Sequence, residues 1–244
     1  MYVHFDASTI TPDDYDPVTL NLIRATNLAN HAPNNAAFTM WGEPKFEHNA
    51  LSTRAGNMHC DLPGALQTLF PADFHYSIFV VFAVNSEATI PFGSNQVLCQ
   101  TQPVYGTAYA NMLTIMGYAT SGLQLKVNRS MSMSELTNPN LDFTSTGGKS
   151  IVFADYKYTA LTQTHTRTLQ IYSVNGDLLT DDTDETIGNI TVPSWRDEWF
   201  TIGGAESNRN FTKWLTYELI FAKQGLTEPE LSETITYLSN KWNV

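Results

Sequence analysis

Trp199-Phe-Thr-Ile-Gly203-Gly204, then Phe211 to Ala222, then Leu226-Thr-Glu-Pro-Glu-Leu-Ser-Glu-Thr-Ile-Thr-Tyr-Leu-Ser-Asn-Lys-Trp242: these three runs decide the architecture of the chain. The first two read as strands separated by a Gly-Gly turn. The third changes period. Thr227 and Glu230 have capping-box spacing, so each side chain can satisfy an orphan amide at a helix start. Pro229 falls in the first turn, where its missing N–H removes nothing. Leu231, Ile235, Leu238 and Trp242 recur on one stripe, which predicts an amphipathic helix over 227–241 with those four residues buried.

Upstream the chain is written in strands. Runs rich in β-branched and aromatic residues, bounded by Gly, Pro and Asn, predict strands near 2–6, 36–40, 45–49, 57–62, 75–85, 96–101, 110–118, 122–128, 149–158, 166–174, 177–181, 198–203 and 211–222. His75 to Asn85 has a nearly continuous apolar centre, as in a strand buried on both faces. Leu123-Gln-Leu-Lys-Val-Asn128 alternates, as in a strand with one wet face. Ser121-Gly122 and Asn175-Gly176 mark tight hairpins. Pro63 to Phe70 is a second helical segment. At 244 residues, with no linker, repeat or low-complexity tract, residues 1–244 are expected to form a single domain.

The closing runs resemble the C-terminal signature of concanavalin A-like (laminin G-like) jelly-roll domains, in which an "iGG" strand leads to a last strand and an "L-[ST]-x-x-E" helix, here Leu226-Thr-Glu-Pro-Glu230. The N-terminal half resembles the version found in bacterial and phage proteins. Val3-His4-Phe5-Asp6-Ala7-Ser8 is similar to its "W-x-D-A-S" strand, and Asn27-Leu28-Ala29-Asn30-His31-Ala32 to its "gNgNhA" turn. Pro44-Lys45-Phe46, Ser77 to Phe82 and Ile171-Tyr172-Ser173-Val174-Asn175-Gly176 follow in the family's order. Phe5 stands where that pattern has tryptophan, and Leu22-Ile23-Arg24 where it has W-x-D. The resemblance covers nearly the whole chain. It implies an all-β, two-sheet antiparallel jelly-roll sandwich with a short C-terminal helix.

Composition limits the partners. The formal net charge is −11, and such an acidic surface repels phosphate backbones and anionic headgroups, so neither nucleic acid nor a membrane surface is an expected partner. No apolar run approaches the length of a spanning helix, and the first residues lack the basic and apolar regions of a secretory signal. The expectation is a protein made in the cytoplasm. Cys60 and Cys99 are expected to be two buried thiols.

Glycoside hydrolysis, the activity best known on this fold, needs two carboxylates about 5–10 Å apart. Hydrolytic members of the family carry an E-x-D-x-E strand that puts them on one face; no glutamate here continues that way. The six histidines are scattered, and no G-x-S-x-G elbow exists. His59 and Cys60, adjacent on an expected strand, point to opposite faces and cannot pair. His75 reads as a satisfied edge residue. No cofactor is expected. Asp181-Asp182-Thr-Asp184-Glu185 is the densest acidic run. It reads either as a solvated hairpin-end loop or as a rim loop offering oxygens of Asp181, Asp182 and Asp184 to calcium. Among the tryptophans, Trp199 and Trp214 read as core, whereas Trp195, in Pro193-Ser194-Trp195-Arg196, reads as exposed and available to stack on a sugar ring.

These readings converge on a non-enzymatic structural and adhesive protein of a virion surface, associated with the head or tail of a phage. Its partners would be other virion proteins, copies of itself and host-surface glycans. A soluble glycan-binding lectin is the alternative, and a glycan hydrolase without the usual acidic triplet a third.

Overall fold

In a computed structural model, residues 1, 3–29, 37–62, 73–85, 96–103, 113–118, 122–127, 136–137, 148–187, 197–203, 212–222 and 224–243 are described. The elements run β1 (Val3–Asp6), β2 (Thr39–Gly42), β3 (Lys45–Glu47), β4 (Ala50–Ser52), β5 (Gly56–Asp61), β6 (Phe74–Val84), β7 (Gln96–Pro103) and β8 (Leu113–Tyr118). They continue through β9 (Gly122–Val127), β10 (Leu136–Thr137), β11 (Ser150–Thr159), β12 (Thr164–Ser173), β13 (Leu178–Ile187), β14 (Asp197–Ile202) and β15 (Trp214–Ala222) to α1 (Glu228–Trp242).

The strands form two antiparallel sheets, as expected of a jelly-roll sandwich. One has the order β13-β12-β11-β6-β15-β4-β3, with β1 also paired to β15; the other is β10-β9-β8-β7-β14-β5-β2. Hydrophobic alternation fills the space between them. Phe200 of β14 stacks on Phe221 of β15 across the gap at 5.0 Å, and Phe221 stacks in turn on Tyr76. Phe82 and Trp214 meet edge to face, both essentially without solvent exposure. Cys60 and Cys99 are buried free thiols in this layer, and burial pushes both thiols up.

The outer face of the larger sheet is apolar at its centre and lies under α1. Register puts Phe79, Val81, Ile151 and Phe153 on that face, opposite to Tyr76, Ile78 and Val80; all four are buried. Ile235, Leu238 and Trp242 of α1 are buried against the same cluster, each contributing about 1.5–3 kcal/mol as its area leaves water. Leu231, expected to be buried with them, is only half-buried, one turn nearer the start of the helix. The capping box is present: the Thr227 amide donates to Glu230 at 2.8 Å, and the Glu230 amide to the Thr227 hydroxyl.

Two expectations need correction. The strand expected at 45–49 is broken by a turn, because His48 and Asn49 both adopt left-handed φ (55° and 56°), so β3 and β4 form a tight hairpin. The strand expected at 177–181 runs on to Ile187. Consequently Asp181 to Glu185 lie in the edge strand β13, not in a loop. Charged residues suit an edge strand, whose outer side is solvated and must resist pairing with another chain. The helical segment expected at 63–70 lies outside the described residues.

Candidate functional site

The outer face of the smaller sheet differs from that of the larger. Phe200 and Ile202 point inward with Cys60 and Met58, their register partners on β5. Period two therefore turns Trp199, Thr201, His59 and Asp61 outward. Pairing of β2 with β5 sets Trp41 opposite Asn57 on the same outer face, and pairing of β14 with β7 adds Gln100. Three strands distant in sequence thus assemble one aromatic patch. The Trp41 and His59 rings are 3.9 Å apart between centroids, Trp199 lies 5.5 Å from His59, and the two indoles meet edge to face at 5.8 Å.

Both tryptophans are half-buried and present ring surface to solvent, whereas His59 and Thr201 are buried beneath them. Among the described residues, His59 Nδ1 and Thr201 Oγ1 have no hydrogen-bond partner. Burial lowers the His59 pKa, with Asp61 opposing, so the ring is neutral at neutral pH and offers one donor and one acceptor. The arrangement is an aromatic platform whose two indole planes stand 84° apart, over polar atoms that have no partner among the described residues. Such a surface stacks a ring and hydrogen-bonds its substituents. The sequence reading assigned Trp199 to the core. The signal against that was present: Phe200 and Ile202 share a face, so Trp199 cannot share it.

Sequence-predicted site residues lie elsewhere. Trp195 is outside the described residues. Along β13, Asp181 falls on one face and Asp182 and Asp184 on the other. Asp181 accepts from Gln170 on the outer face at 3.1 Å, while Asp184 pairs with the buried Arg167 on the inner side. The three carboxylates are therefore not brought to one point. His75 is oriented by Asp155 at 2.6 Å, and Ser77 also donates to Asp155. Ser77 donates to the carboxylate rather than to the imidazole, and it is fully buried, so this trio lacks an activated nucleophile.

A second cluster lies under the end of α1. His4 and Asp6 of β1 and Glu218 of β15 bring ligand-type atoms within 4.8 Å of one another. Their centre is already held by a cation, the Lys241 ammonium, which donates to both Asp6 and Glu218. Trp242 and Tyr237 add hydrogen bonds to Glu218 at 2.7 and 3.2 Å. Burial favours the neutral carboxyl of Glu218, yet the bonds from His4, Lys241 and Trp242 outweigh it and hold its pKa below the ordinary value. The cluster locks the helix to the sheet.

No protein-family model and no curated protein matches the chain. Solved structures do. The receptor binding domain of botulinum neurotoxin mosaic serotype C/D has a TM-score of 0.60 at 9% identity, covering 96% of this chain and 49% of that one. The ligand binding domain of serotype D, in complex with N-acetylneuraminic acid, has a TM-score of 0.55 at 9% identity, with 98% and 50% covered. The serotype G binding domain has a TM-score of 0.54 at 8% identity, with 98% and 50% covered. The chain spans about half the length of these structures. At such identities the likeness is one of fold alone, a two-sheet antiparallel β-sandwich, and these neighbours are binding domains. Among the described residues, no helix is long and apolar enough to cross a membrane.

Proposed function

We propose that the chain is a non-enzymatic glycan-binding module whose site is the Trp41–His59–Trp199 platform. One observation carries this reading: two half-exposed indoles flank a buried imidazole on the outer sheet face, above polar atoms that have no partner among the described residues. Leaving large rings in water forfeits burial that a core position would supply, so a sugar that covers them recovers it. Asp61 lies on this face beside the two indoles, and the whole chain carries −11, so the platform favours neutral sugars over acidic ones. In this it differs from the neighbour that holds N-acetylneuraminic acid.

A glycan array probed with the wild type and Trp199→Ala tests the reading. The wild type is expected to retain neutral glycans, and the variant to lose them at least about tenfold, which corresponds to 1.4 kcal/mol. Equal retention by both proteins would overturn the site.

The finer form of the proposal places many copies on a virus particle, holding host-surface glycans. It is supported by the resemblance to phage-type domains and by the benefit of display, since multivalency raises avidity by about 10²–10⁴ without any new contact. Mass spectrometry of purified particles from the native source is expected to find the chain. Recovery as a free monomer alone would leave the soluble lectin.

A further inference from the structure

On the opposite side of the sandwich, a groove of about 320 Å³ runs between α1 and the β12–β13 hairpin. Its helical wall is the stripe of Leu231, Ser232, Ile235, Thr236, Ser239 and Asn240; Tyr172, Asn175 and Gly176 form the other wall. Helical spacing makes the stripe continuous over roughly 18 Å from Glu228, at 1.5 Å per residue. The hairpin approaches the helix as closely as it can. Gly176 has a φ of 89°, and a Cβ there would lie 2.9 Å from the Ser239 hydroxyl and 3.7 Å from the Ile235 side chain. Glycine at this position therefore sets both the turn and the width of the groove.

Three properties define what the groove can hold. Ser239 is more than nine-tenths buried, and its hydroxyl, at the groove floor, has no hydrogen-bond partner among the described residues. A buried hydroxyl without a partner is unfavourable, and a ligand that bonds it relieves the penalty. The walls also divide by chemistry: Tyr172, Leu231 and Ile235 are apolar, while Asn175, Ser232, Thr236 and Asn240 supply amides and hydroxyls at the mouth. Finally, Glu228 is the one charged residue in the lining, which disfavours anions. The volume is at the small end of ligand sites.

We infer that this groove is a second binding site, for a neutral polyhydroxy ligand the size of one sugar residue. It does not depend on the Trp41–Trp199 platform, and it lies on the other outer face of the sandwich. With both sites occupied, one molecule bridges two glycan chains.

The test is an amide ¹H–¹⁵N titration of the whole chain with glucose, galactose, mannose and N-acetylglucosamine, each to tens of millimolar, with N-acetylneuraminic acid as the anionic control. At least one neutral sugar is expected to shift the amides of Asn175, Gly176, Ser239 and Asn240 saturably, and the acidic sugar to leave them unmoved. Thr236→Trp, a substitution at an exposed helix position, is expected to fill the groove. It should weaken those shifts at least about tenfold while leaving shifts near Trp41 and Trp199 intact. Trp199→Ala should do the reverse, so failure of either site is read separately. Groove amides that respond to none of the neutral sugars, that respond equally to the acidic one, or that respond undiminished in Thr236→Trp would overturn the inference.

Discussion

The two outer faces of this sandwich are built from the same kinds of residue and put to opposite uses. On the larger sheet, Phe79, Val81, Ile151 and Phe153 face outward and are buried, and Trp242 of α1 is buried with them. On the smaller sheet, Trp41 and Trp199 face outward and keep solvent exposure. A ring that is covered by its own chain contributes to stability. One that is left open has surface available for something else. The polar groups follow the same division. Glu218, Asp6, Lys241 and His4 satisfy one another beneath the helix, whereas His59 Nδ1 and Thr201 Oγ1 have no partner among the described residues.

Removal of the cover is the harshest way to break the comparison. Truncation after Lys223 deletes Ile235, Leu238 and Trp242, each contributing about 1.5–3 kcal/mol. Domains have only about 5–15 kcal/mol in all, so the truncated chain is expected to be insoluble or to melt far below the intact protein. An unchanged melting temperature would contradict the role assigned to α1.

Tryptophan substitutions sharpen the contrast. Trp214→Ala, in the sealed core, is expected to lower stability by about 3–5 kcal/mol, because it leaves a cavity. Trp199→Ala is expected to lower it by about 1 kcal/mol or less, since much of the ring already faces water. Denaturant unfolding measures both. Equal losses would mean that Trp199 is structural.

Much of the first face was legible in the sequence. The capping box, the Pro229 position and the stripe through Ile235, Leu238 and Trp242 are local signals within one helix. The Asn175-Gly176 turn and the long apolar strand β6 were equally local. The acidic end of β13 carries no local strand signal, because charge is common in loops and is equally tolerated on the solvated side of an edge strand. The platform was not assembled from sequence, because Trp41, His59 and Trp199 come from β2, β5 and β14 and meet only through register. Each is unremarkable alone. The alternation of Trp199 with Phe200 and Ile202 was the one local hint, and it fixes a face without naming its neighbours.

The buried charge cluster gives the helix-covered face an acid signature of its own. Lys241→Ala leaves Asp6 and Glu218 without their cation and is expected to destabilise by about 3 kcal/mol at neutral pH. Burial alone would raise the pKa of both acids, but hydrogen bonds from Lys241 to both, from Ser8 to Asp6 and from His4 and Trp242 to Glu218 lower them below the ordinary 3.8 and 4.5. Carboxyls lowered on folding contribute stability that is present above their ordinary values and lost as pH falls through the folded ones. Melting of the wild type should therefore fall beneath about pH 4.5, with a shallower fall in Lys241→Ala. This fall comes on top of a decline shared by both proteins below the ordinary histidine value of 6.5, as His59, kept neutral by burial, is protonated in the unfolded chain. Parallel acid profiles for the two proteins would refute the network.

The smallest effect concerns β13. Asp181 and Asp184 are engaged on opposite faces, with Gln170 and Arg167. Millimolar calcium is therefore expected to leave the melting temperature unchanged, since only a ligand held by the folded state raises it. A clear rise, abolished by Asp182→Asn, would assign the strand a cation after all.

The central claim is that the open face receives a sugar where the covered face receives the chain's own helix. A crystal structure of the protein with the neutral glycan that an array shows it retains best tests this most directly. The expected result is a sugar ring stacked on Trp41 or Trp199. A glycan bound at another surface, with both indoles still facing water, would contradict it.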